Sequence, residues 1–76
     1  MQKFDVQWSA CVEKMGEILN KVSLDVWIEP LIPAYFGAGV AYFYTESEFQ
    51  REIALSRYNE LIINLLSEQL GQNVSL

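Results

Sequence analysis

The hydrophobic period of this chain changes twice, and the first change falls at a proline pair that helices do not cross easily. Up to that point, Phe4, Trp8, Val12, Met15, Leu19 and Val22 recur at steps of 4, 4, 3, 4 and 3 residues, which is the spacing of one helix face. Gln7, Glu13, Lys14, Glu17 and Lys21 fall mainly on the opposite face, so an amphipathic helix is predicted over about 4–20. Gly16 interrupts it at a helical cost of roughly 1 kcal/mol relative to Ala and leaves room for a close neighbour. Ser23 has the chemistry of an N-cap for a second helix beginning at Leu24, with Asp25 in its first turn. Val22 and Trp27 are placed to staple that cap. Pro30 and Pro33 keep this helix short, because the residue before a proline is pushed out of helical geometry.

After Pro33 the pattern alternates. Ala34-Tyr35-Phe36, a Gly37-Ala38-Gly39 turn and Val40-Ala41-Tyr42-Phe43-Tyr44 read as a β-hairpin. Val40, Tyr42 and Tyr44 share one face of its second strand, and Ala41 and Phe43 share the other. The period then reverts. Thr45 with Glu48 and Ser47 with Gln50 are overlapping capping-box pairs. They introduce a long helix over about 47–70 whose stripe is Phe49, Ile53, Ala54, Tyr58, Leu61, Ile62, Leu65, Leu66 and Leu70. Gly71 closes it as a left-handed residue, and 72–76 alternates as a last strand beside the hairpin. The expected order is helix, helix, strand, strand, helix, strand. This is an α+β fold with its helices on one face of a small sheet, forming one compact domain over 1–76.

Composition narrows the function classes. Ten Asp/Glu against five scattered Lys/Arg give a net charge of −5, which disfavours phosphate neutralisation and adhesion to anionic membranes. No stretch is long and apolar enough to read as a membrane span or a signal peptide. The single cysteine, Cys11, cannot form an internal disulfide and reads as a small buried apolar residue, so a reducing cytoplasm is the expected compartment. The chain has no histidine, which removes the commonest general base and metal ligand near neutral pH. The carboxylate pairs Glu13/Glu17 and Glu48/Glu52 lie at helical i,i+4 spacing and read as solvated faces. No cofactor, metal or catalytic constellation is expected, and the non-enzymatic reading is preferred.

The aromatic residues are the candidates for binding, because interfaces concentrate their energy in such side chains. Trp27 sits on a helix too short to bury much, and Phe49 opens the long helix. Each alone reads as core. Together, with the second helix packed across the start of the third, they form a step at the surface. Trp8 poses the same choice: part of its ring belongs in the core, and one edge is available to a second copy across a two-fold axis.

The ordered set of Trp8, Ser23-Leu24-Asp25-Val26-Trp27-Ile28-Glu29-Pro30-Leu31, a hairpin, Phe49, Arg57-Tyr58 and a Leu70-Gly71 turn resembles the N-terminal domain of the bacterial replication initiator DnaA over essentially the whole chain. The resemblance implies a KH-like fold without ATPase or origin-binding activity of its own. It further implies recruitment of the replicative helicase, its loader or initiation regulators, and weak self-association. By position, the partner surface would comprise Ser23, Val26, Trp27, Ser47, Phe49 and Gln50, and the self-association surface Phe4 and Trp8. Two positions depart from the family: Glu46-Ser47 stands where Pro-Asn is frequent, and neutral Ser23 where some members carry an acidic residue. The family parent continues into a linker and an ATPase, whereas this sequence ends at Leu76, so an excised domain and a free-standing relative are both open. Two other functions compete with the adapter reading. A weak single-strand nucleic-acid module would exploit the KH likeness, against the net charge and the lack of a Gly-x-x-Gly loop. A free-standing acidic regulator would occupy a basic partner surface.

Overall fold

The computed structural model describes residues 2–76. Helix α1 spans Asp5–Ile18 and buries Trp8, Cys11 and Met15, with Phe4 sealed just before it. A three-residue helical turn, α2 (Lys21–Ser23), runs directly into a π-helical stretch, Leu24–Ile28. Strands β1 (Ile32–Gly37) and β2 (Val40–Tyr44) form an antiparallel hairpin. Helices α3 (Glu48–Arg57) and α4 (Asn59–Leu70) complete the fold. The α+β reading holds, with one hydrophobic core between the helices and the inner face of the hairpin.

The hairpin follows its sequence closely. Ala38 and Gly39 form the two-residue turn, both with positive φ (52° and 78°), as expected of the turn whose twist matches paired strands. Ala41 is buried and Phe43 packs against the core. Val40, Tyr42 and Tyr44 face outward, where Tyr42 stacks on Tyr35 at 4.5 Å. Strand β1 starts at Ile32, before Pro33, and the register slips between Pro33 and Tyr35. A proline fits there because a bulge spares the ladder the missing N–H. The last strand shrinks to a single parallel bridge between Ser75 and Val40, and Gln2 bridges Phe36 on the opposite edge.

Three local expectations about the second helix are corrected. The second helix is capped by Asn20, whose side chain accepts from the Ser23 N–H at 2.8 Å, while Ser23 is itself helical. Asn is as good an N-cap as Ser, and it stands one turn earlier. Val22 is 71% exposed, so it staples nothing. Glu29 keeps helical geometry in front of Pro30 (φ −55°, ψ −38°), and its N–H bonds the Leu24 carbonyl at 2.9 Å. The wide π turn thus carries the helix one residue further than proline usually allows.

The long third helix is two helices. Tyr58 (φ −115°, ψ 3°) ends α3 and begins α4 without Gly or Pro. The halves have different partners, since α3 packs on the π stretch and α4 on α1, and one straight axis does not serve both. Of the two capping boxes, Ser47 alone caps: its hydroxyl accepts from the Gln50 N–H at 3.3 Å. Thr45 instead bonds Ser47, donating to its carbonyl (2.8 Å) and accepting from its N–H (3.3 Å). Gly71 adopts φ 69° and ends α4 as expected. Among the described residues, no helix is long and apolar enough to cross a membrane.

Candidate functional site

Three features bring the π stretch against the first turn of α3. Ser47 is extended and caps α3, which fixes where the helix starts and therefore where Phe49 points. The π turn widens the backbone at Leu24–Ile28, sending Ile28 into the core while Val26 and Trp27 stay at the surface. The Gln50 side chain then joins the two, its Nε2 donating to the Val26 carbonyl at 3.1 Å. A carbonyl left spare by an irregular helix is thereby satisfied by a residue 24 positions away.

The result is an aromatic step. The Trp27 and Phe49 rings meet edge to face, with centroids 5.7 Å apart and planes at 69°, a geometry favoured by the ring quadrupoles. Trp27 is half-buried, but Phe49 is 63% exposed and Val26 46%. Phe49 therefore belongs to the surface despite lying on the helical stripe. In sequence, the exposed carboxylates Asp25, Glu29, Glu46 and Glu48 flank the residues of the step. Lys21 pairs with Asp25 at 3.0 Å on the open surface, where such a pair adds little stability.

The six residues suggested for partner binding thus fall in two groups. Val26, Trp27, Phe49 and Gln50 are in mutual reach, Ser47 positions them, and Ser23 lies a turn away, its N–H held by Asn20. Asn20 escaped the sequence reading although the Asn20-x-x-Ser23 spacing is that of a side-chain cap. The two residues suggested for self-association are elsewhere, inside the core. Phe4 is fully buried and Trp8 is 5% exposed. Both rings pack edge to face on Phe43, with centroids at 5.3 and 4.7 Å. With Trp8 against the half-buried Phe43 and both Trp8 and Phe4 buried, neither ring offers a contact to a second copy.

Cys11 is buried in α1. Desolvation pushes its thiol up to about 11, with Lys14 opposing and Glu68 assisting, so its thiolate is scarce near neutral pH. Among the described residues no His, Cys, Asp and Glu cluster has the arrangement of a metal site.

Sequence comparison bears on what kind of surface this is. The model of the DnaA N-terminal domain family matches residues 5–68, a span from the first residue of α1 almost to the end of α4. The chain belongs to that family. It is also 32% identical, over its whole length, to the chromosomal replication initiator protein DnaA of Magnetococcus marinus. It spans only 17% of that protein's length.

Proposed function

We propose that this chain is a non-catalytic adapter domain of replication initiation, which docks a partner protein on the step formed by Val26, Trp27 and Phe49. The exposed Phe49 ring, held against Trp27 by a cap and a cross-brace, carries this reading. A large apolar group presented on a fixed scaffold loses little conformational freedom when it is covered. The carboxylates that flank it in sequence suit a partner with a basic rim, and such charges act mainly on encounter rate. The replicative helicase, its loader and regulators of initiation are the partner classes that the family membership suggests.

A pull-down from the source cell lysate, with wild type and Phe49→Ala side by side, tests this. The variant should fold normally by circular dichroism and lose its partner, with affinity down by more than about fivefold, as for a hot spot. A folded variant that retains the partner places the site elsewhere. Weak pairing of two copies remains part of the proposal, and we assign it to the outer surface of α1, where Val6 is 80% exposed. Sedimentation of Val6→Asp should then show less dimer than wild type.

A further inference from the structure

Helix α3 is the least anchored of the three longer helices, although it carries half of the aromatic step. Of its ten residues only Ala54 is buried, and seven are exposed. Its neighbour α4 exposes three of twelve and buries Ile62, Leu65 and Leu66. The contrast is larger than these counts, because Ala54 brings one methyl group to the core where each of the α4 side chains brings a branched aliphatic group. Among the described residues no salt bridge involves α3.

Both ends of α3 are joints. Ser47 before it is extended (φ −128°, ψ 127°), and Tyr58 after it leaves helical geometry (φ −115°, ψ 3°). Two contacts tie α3 to the π stretch: the Gln50 brace to the Val26 carbonyl, and the Phe49 ring on Trp27. The π stretch is held separately, by the fully buried Ile28. A ten-residue helix is too short to persist alone in water, so α3 keeps its form only while it is seated. We infer that α3 melts and reforms as one unit, through a minor open form in which α1, the π stretch, the hairpin and α4 stay folded. Phe49 leaves with α3 while Val26 and Trp27 stay behind, so the step exists only in the closed form and the opening is a switch for it. Its use as a switch rests on the docking role proposed for the step. The opening itself is measured without a partner, so the two fail separately.

Amide hydrogen exchange of the 76-residue chain, followed by NMR in rising sub-denaturing urea, provides the test. The hydrogen-bonded amides of 52–57 should share one protection factor, at least about tenfold below those of Leu65 and Leu66. It should hardly respond to urea, because the opening of one short helix exposes little surface. Cys11→Ala, which loosens α1, should lower protection at Leu65 and Leu66 and leave that of α3 unchanged, since α1 stays packed in both forms. Gln50→Met keeps the length of the side chain without its donor and should lower α3 protection roughly fivefold, the worth of one hydrogen bond. The inference is overturned by α3 amides that exchange at the same urea-dependent rate as those of α4, or that lose protection with them in Cys11→Ala. Protection that rises steadily along α3 from Ser47 would also overturn it, as fraying from one end. A folded Phe49→Ala that keeps its partner in the pull-down would instead remove the docking role and leave the opening standing.

Discussion

Two tryptophans on helical segments each meet a phenylalanine edge to face, yet only one of the tryptophans is sealed. Trp8 and Phe43 lie 4.7 Å apart at 68°, and Trp27 and Phe49 5.7 Å apart at 69°. The ring geometries are nearly the same. What differs is the third layer. Trp8 lies among the buried Phe4 and the hairpin's Phe43, whereas the ring that meets Trp27, Phe49, is itself 63% exposed. Pairing of aromatic rings therefore does not determine burial; the element that closes over them does. The first pair works as core and the second is left as surface.

The largest test of this contrast is truncation of each ring. Trp8→Ala should cost about 3–5 kcal/mol, the usual penalty for an emptied aromatic site, against a total of roughly 4–11 kcal/mol for a domain this size. Trp27→Ala should cost only about 1–2 kcal/mol. Urea unfolding compares them, and equal losses would dissolve the distinction. The next effect is one of pH. Burial raises the Cys11 thiol from 9.0 to about 11, so the folded state holds its proton where the unfolded state releases it. The resulting stabilisation is complete below pH 9 and is lost as pH rises toward 11. The stability of wild type should therefore fall more steeply over that range than that of Cys11→Ala, and the native thiol should resist alkylation at neutral pH.

On the open side, Gln50→Ala removes the brace to Val26 and should cost about 1 kcal/mol. It should also weaken the near-ultraviolet dichroism of Trp27, best seen in a Trp8→Phe background. The smallest change is a gain. A methyl at Gly16 would meet the Leu24 side chain at 3.6 Å, an ordinary contact. Gly16→Ala should therefore add about 0.5–1 kcal/mol in thermal unfolding while tightening the join between α1 and the π stretch.

The features legible in the sequence were those set by period and by turn chemistry. The stripe of α1, the shared face of Ala41 and Phe43, the Ser47 cap and the Gly71 stop all follow from spacing or from one residue's conformational preference. The aromatic step was legible as a surface junction, although each of its rings alone reads as core. The break at Tyr58 was not legible, because it comes from two helix halves having different neighbours, and no residue there is a helix breaker. The π turn escaped for a similar reason: proline chemistry argues for an earlier stop, and packing of Ile28 into the core favours the longer path. Trp8 was misjudged at its edge because Phe43, the ring it packs against, is 35 residues away.

The two bridges at the ends of the chain have a mechanical consequence. Gln2 is tied to Phe36 by two hydrogen bonds of 2.9 and 2.7 Å, and Ser75 is tied across the turn end of β2 by two of 2.9 Å. A tension drawn through both termini therefore loads opposite sides of one ribbon before it reaches α1 or α4. Such a pull would strip the clasps first and leave the helices seated, so the hairpin serves as the strain relief of the molecule.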